Sequence, residues 1–378
     1  MAGPTPCCTP GRTRRWPTGP RRSTRRCGRP RNRSSGDRSA CAGGDPRRAR
    51  GIAAADDDVL AIAGAVPADQ PAPNNLFAAV HALLLDGAAH DLREWYPSVV
   101  GEDARDPNVD DPVPAFADFV RSHEARVREL VATRRTQTNA VGRTSVLYPA
   151  FARVAERVDG PVALVEVGAS AGLNLLFDRY SYQYRLPDGG ARTVGVDDAS
   201  VTVSADLRAG DPPLPADPPA VATRVGIDLN PLDATDDEDL NWLRALVWPE
   251  HVDRHEQLAA AATVARTDPP EIVAGDALDV LTAVVDELPT DVAVCVYDTQ
   301  VLYQLTEAQR DRYRDLLADL ATDRDLHWVS GSHAVESSDG PGIALRHADV
   351  SDDGVLEPTT TIARYESHGR WLEWVAPE

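Results

Sequence analysis

From Gly160 onward the sequence repeats one texture: short Val-rich apolar runs that break at an acid or a glycine and give way to helical patterns. Seven such runs stand at 162–167, 222–227, 271–273, 292–297, 326–330, 343–347 and 359–365. Short apolar runs of this kind are strands buried on both faces. Strands of that kind, alternating with helices, build a parallel sheet covered on both sides. The last runs have no long helices between them, which predicts an antiparallel edge. The expected fold is α/β, a Rossmann-like, doubly wound, mostly parallel seven-stranded sheet occupying residues 151–378.

The preceding stretch differs. Over residues 52–150 apolar residues recur at three- and four-residue spacing, with Asp, Asn, Pro and Gly between the runs, and strand-like alternation is absent. About four helices are expected there, forming an all-helical N-terminal region. Residues 1–51 differ again. The first fifty hold fourteen Arg against two acids, Asp37 and Asp45, a charge of about +12. With almost no aliphatic side chains, this segment cannot bury enough apolar surface to offset its ordering entropy, and it is expected to be disordered. The abrupt change of composition near Gly51 reads as sequence upstream of a misplaced start, with a basic arm for nucleic acid or membrane as the alternative.

The whole chain carries −20, so the remainder carries about −32, and it contains no Lys at all. A heavily acidic, Lys-free surface suits a halophile's cytoplasmic protein, because molar salt shortens the screening length to ~3 Å and removes the self-repulsion. The same charge argues against nucleic-acid binding by the folded domain. No apolar run approaches the ~20 residues of a membrane span. Four of the five cysteines, Cys7, Cys8, Cys27 and Cys41, lie in the basic segment; Cys295 sits in an apolar run and reads as a buried core thiol.

The sharpest motif is PVALVEVGASAGLNLLFDRY, residues 161–180. A strand ends at Glu166, glycines at 168 and 172 bracket Ser170, and a helix is expected from about Leu173. Such a turn lets a ligand approach the backbone. Three more strands end in acids: RVGIDLNPLD at Asp228 followed by Asn230, EIVAGDAL at Asp276 followed by Ala277, and VAVCVYDTQVLYQL at Asp298. An acid after the second strand of a doubly wound fold accepts from ribose hydroxyls, and one after the third accepts from an adenine amino group. The turn also spells G-x-S-x-G, the nucleophile elbow of serine hydrolases, with Asp298 and His333 following in the required order. A non-catalytic ligand-binding protein is a third reading.

This succession resembles the class I S-adenosylmethionine-dependent methyltransferases. The resemblance implies S-adenosylmethionine as cofactor, with Glu166, Gly168, Ser170 and Gly172 around its methionine part, Asp228 and Asn230 on the ribose, and Asp276 and Ala277 beside the adenine. The turn is poorer in glycine than usual, and the gap to Asp228 is long. A β-hairpin inserted over 180–203 is expected, with its turn at 187–190. Residues 56–376 also resemble a narrower, uncharacterised family, domain of unknown function 2332. The matching stretches are TRRTQTNAVGR, EVGASAGLNLLFDRYSYQY, RVGIDLNPLD and WLRALVWPEHVDRHEQLAAA.

Within residues 134–143, Arg134, Arg135, Gln137, Thr138, Asn139 and Arg143 gather forks and amides suited to an anionic small-molecule substrate, or else to tying the helical region to the sheet. Asp298 and His333 are the candidate catalytic residues of either enzyme. His251 and His255 have metal-ligand spacing but no third ligand, and read as surface residues; no metal site is expected.

Overall fold

Strand β1 (Val162–Val167) is buried at all six positions because it has parallel neighbours on both sides, β5 (Val221–Asp228) and β7 (Ala293–Thr299), and helices over both faces. The computed structural model describes residues 56–137, 139–337, 340–349, 356 and 359–376, without the side chains of 332–341. The Arg-rich segment, Thr138 and the side chain of His333 therefore lie outside the described residues. Period-two alternation divides the core in two. Val162 and Leu164 of β1 join Cys295 and Tyr297 of β7 on one face; Val165 and Val167 join Val294 and Val296 on the other.

Beyond β5 lies β6 (Glu271–Ala274), and beyond β7 lies β8 (Leu326–Ser337), both parallel to their neighbours. The sheet then turns antiparallel through β9 (Gly340–Ala348), β10 (Thr360–Tyr365) and β11 (Trp371–Trp374). These include all seven expected strands, and the antiparallel stretch falls where it was expected. Among the described residues the sheet nevertheless has eleven strands, in the order β3-β2-β4-β11-β10-β9-β8-β7-β1-β5-β6. The expected hairpin is β2 (Ser181–Arg185) paired with β3 (Ala191–Gly195). It extends the sheet because β4 (Thr202–Ala209) lies parallel to both β2 and β11. β2 is anchored by Tyr182 and Tyr184, whose buried hydroxyls donate to the carbonyls of Phe177 and Ser145. β11 covers the edge that β10 would otherwise present to solvent.

The N-terminal helices are α1 (Asp57–Ala63), α2 (Ala72–Leu85), α3 (Pro97–Val100), α4 (Val113–Ser122), α5 (Glu124–Thr133) and α6 (Thr144–Ala155). Asp56 caps α1 by accepting from the amides of Asp58 and Val59. His123, at φ −118° and ψ 23°, separates α4 from α5. Their buried residues share one core with β1, β2 and β4 and with α7 (Asp237–Ala245) and α8 (Val252–Thr267). The helical region thus roofs one face of the sheet, while α9 (Ala277–Asp286) and α10 (Glu307–Ala321) cover the other. Cys295 is buried and free. No helix among the described residues is long and apolar enough to cross a membrane.

Candidate functional site

The turn after β1 is held by two glycines at positive φ, Gly168 at 78° and Gly172 at 71°. A Cβ at Gly168 would collide with Val301, and one at Gly172 with Pro270, so conformation and space both demand glycine. Residues 173–179 form a 3-10 segment and not the α-helix expected there; the insert β2–β4 begins too soon for a long helix to form. Three non-glycine residues among those described take positive φ: Ser170 (55°), Asp198 (54°) and Gln300 (64°). Ser170 and Gln300 line the same cavity. Backbone of this kind is costly, and it gathers at ligand sites.

That cavity measures about 980 Å³, at the upper end of the roughly 300–1,000 Å³ typical of small-molecule sites. It lies across the carboxyl ends of β1, β5, β6 and β7. There the chain leaves β1 towards β5 and β6 and later returns to β7 on the other side, a topological switch point. Asp228 lines the cavity. Its Oδ2 accepts from the amide of Ser170 and its Oδ1 from that of Asn230, each at 2.8 Å. Burial raises its pKa, and those two amides pull it back down. Asp276 lines the next wall and caps α9 through the Leu278 amide at 3.0 Å. Gln137 bridges the turn, donating to Ser170 Oγ and to the Asn230 carbonyl, while Asn230 Nδ2 donates back to its Oε1. Asn139 Nδ2 donates to the Ala169 carbonyl at 2.8 Å.

Below the turn, Glu166 is almost wholly buried. Asn174 Nδ2 donates to its Oε1 at 3.2 Å. Burial pushes its pKa up to about 8, opposed by the Asn174 hydrogen bond and by the charge of Arg143. Arg143 is itself buried, with one nitrogen donating to both Thr299 oxygens. At the mouth stand two exposed apolar side chains, Leu229 and Tyr303, 77% and 64% accessible.

The family described as "Uncharacterized protein conserved in bacteria (DUF2332)" matches residues 46–374. The chain belongs to that family. No curated protein matches it.

In this DUF2332 chain, the fold brings together most of the residues singled out from sequence. Gly168, Ser170, Asp228, Asn230, Asp276, Ala277, Gln137, Asn139 and Arg143 all line the cavity. Glu166 and Gly172 lie behind its wall. Arg134 does not reach it: it is ion-paired to Asp239 and Glu238 at the start of α7, so it ties the end of α5 to α7. Arg135 lines the cavity but pairs with Asp69 at 2.7 Å. Asp298 is completely buried, with Oδ2 accepting from Trp328 Nε1 and Oδ1 from Ser330 Oγ, each at 2.9 Å. It faces the α10 layer and not the cavity. His333 pairs in register with Ala344. His255, expected on the surface, is buried edge-on against His81, and burial lowers its pKa to about 4.

Asn174, Leu229, Gln300 and Tyr303 were not anticipated. Leu229 directly follows the strand-end acid Asp228, and that adjacency is legible in the sequence. A non-glycine residue at positive φ, such as Gln300, leaves no signal in composition or spacing.

Proposed function

We propose that this chain is an S-adenosylmethionine-dependent methyltransferase acting on a small molecule that carries an anionic group. One observation carries the reading: Asn139 and Asn174, which line the cavity, each keep a buried Oδ1 with no hydrogen-bond partner among the described residues, and Glu166 Oε2 behind them has only the Tyr297 hydroxyl beside it. Buried polar atoms are seldom left so. Three acceptors around one glycine turn suit a cation rich in donors, and the α-ammonium of an amino-acid moiety is such a group. The residues present therefore fit the cofactor's methionine end. At its other end, Asp228 would accept from the ribose hydroxyls while the Ser170 and Asn230 amides keep its carboxylate fixed. Asp276 would accept from the adenine amino group, and Leu229 and Tyr303 offer apolar surface to the flat base.

When bound, the cofactor's sulfonium supplies the methyl group. The chain's own part is to bind, orient and exclude water. Glu166, protonated when free because of its burial, would give up its proton as a cation arrives beside it. Arg143 and Arg135 would meet the anionic group of the acceptor; the ion pair of Arg135 with Asp69 is exposed and therefore weak. No base is assigned, since Asp298 is engaged elsewhere, and in-line transfer can proceed on positioning alone. The hydrolase reading loses support: Ser170 Oγ accepts from Gln137, and no histidine side chain among the described residues lines the cavity.

The test is thermal unfolding of the full chain in molar KCl, with and without S-adenosylmethionine or S-adenosylhomocysteine. Ligand at 100 times its dissociation constant stabilises by ~2.7 kcal/mol, raising the melting temperature by a few degrees at this size. The rise should vanish in Asp228→Ala. No rise at saturating ligand would overturn the reading; a rise without methyl transfer to any offered acceptor would leave a binding protein.

A further inference from the structure

Far from that cavity, at the amino end of β8, three side chains converge across the β8–β9 ladder. Val329 pairs with His347, so His327, two residues earlier, lies diagonally from His347 on the same face, and Asp349 follows on that face again. His327 Nδ1 lies 2.9 Å from Asp349 Oδ1, His347 Nε2 lies 2.7 Å from the same oxygen, and the two nitrogens are 3.2 Å apart. Both histidines are buried, and Asp349 is half-buried.

Protons alone do not satisfy this triangle. If both imidazoles donate to the carboxylate oxygen, two N–H groups of the same polarity face one another at 3.2 Å. If one nitrogen is bare to accept from the other, it no longer donates to the carboxylate. A cation resolves the conflict, because all three atoms then present lone pairs to it. A triangle with these sides has a circumradius of about 1.7 Å, so a cation about 2.1 Å from each corner sits roughly 1.2 Å out of its plane with one side open.

We infer that His327, His347 and Asp349 form a site for a divalent transition cation of the Zn²⁺ class, independent of the methyl-transfer reading. Two imidazoles and one carboxylate are borderline-soft ligands suited to that class. The surroundings hold the ligands as such sites require. Arg157 Nε donates to Asp349 Oδ2 at 3.2 Å and leaves Oδ1 inward. His327 Nε2, buried and without a hydrogen-bond partner among the described residues, lies 3.6 Å from Asp325 Oδ1. A metal on Nδ1 fixes the proton on Nε2, where Asp325 can receive it. Asp349 is the most accessible of the three. A cation there joins β8 to β9 at the seam where the sheet turns antiparallel, with α6's last turn held close through Arg157. Its role is structural.

The test uses untagged full-length chain in molar KCl, stripped with a chelator and titrated with Co²⁺ while visible absorption is followed. The expected result is one equivalent bound, with visible bands distinct from those of aqueous cobalt, displaced by Zn²⁺, and a melting temperature that falls on stripping and returns with Zn²⁺. His347→Ala and Asp349→Asn should weaken uptake by more than about 100-fold, beyond the loss seen for outer-sphere changes, while His251→Ala leaves it unchanged. Asp349→Asn, altering only a half-exposed carboxylate, serves if His347→Ala does not fold. Folded wild-type protein that binds no stoichiometric cobalt would overturn the inference. So would uptake equal in wild type and Asp349→Asn, which would be the mark of surface carboxylates.

Discussion

Glu166 and Asp298 end neighbouring parallel strands one register step apart: Glu166 pairs with Tyr297, and Val167 with Asp298. In sequence they are the same feature, an acid closing a Val-rich run. In the fold they face opposite ways. Glu166 follows Val162 and Leu164 onto the face roofed by the N-terminal helices, where Asn174 meets one oxygen and the Tyr297 hydroxyl lies beside the carboxyl group. Asp298 follows Val294 and Val296 onto the face covered by α10, where Trp328 and Ser330 take both oxygens. Side-chain parity, a matter of one residue, decides whether a strand-end acid faces the helical roof or the packing on the opposite face.

The largest effect should come from the packed acid. Asp298→Ala leaves a buried indole N–H and a buried serine hydroxyl without an acceptor, and should cost about 3–5 kcal/mol. Urea unfolding in molar KCl measures it. A loss below about 1 kcal/mol would break the comparison, since Asp298 would then not be structural. Glu166 should behave in the reverse sense. Its folded pKa, about 8, lies above the ordinary 4.5. Below pH 4.5 both states hold the proton. As pH rises towards 8 the unfolded chain ionises while the native one does not, so wild-type stability falls through that window. Glu166→Gln removes this slope. A tenfold difference in proton affinity between the two states corresponds to ~1.4 kcal/mol, so the variant should gain about 2 kcal/mol or more on the wild type between pH 5 and pH 8. Parallel stability curves for the two proteins would mean that Glu166 is ionised when folded.

Parity also marks what the sequence could reveal. The seven core strands were legible because burial on both faces writes a continuous apolar run, and the hairpin because Pro187-Asp188-Gly189-Gly190 is a strong turn signal. β4 and β11 were missed: both alternate or are short, and the pairing of one with the other joins segments far apart in sequence. The glycine turn, Asp228 and Asp276 were legible because strand ends share one edge. Arg134 was misassigned because an ion pair to α7, 105 residues away, leaves no local trace. His327, His347 and Asp349 were invisible for the same reason, since only the β8–β9 register brings them together.

The smallest effect tests the turn itself. Ser170 holds φ at 55°, a conformation costing an L-residue roughly 1–2 kcal/mol. Ser170→Gly relieves that cost but loses the Gln137 hydrogen bond and adds freedom to the unfolded chain, effects of about 0.5–1 kcal/mol each. The glycine variant should therefore match the wild type within about 0.5 kcal/mol, and Ser170→Ala, which keeps the strain and loses the bond, should fall about 1 kcal/mol below both. The cofactor-induced rise in melting temperature should survive in the two variants, because Asp228 is held by the backbone amide of residue 170 and not by its side chain. A hydrolytic activity that both variants abolish would reverse the assignment. Ser170 would then be a nucleophile held at its strained φ for attack, and the acids around it the binding groups of an ester.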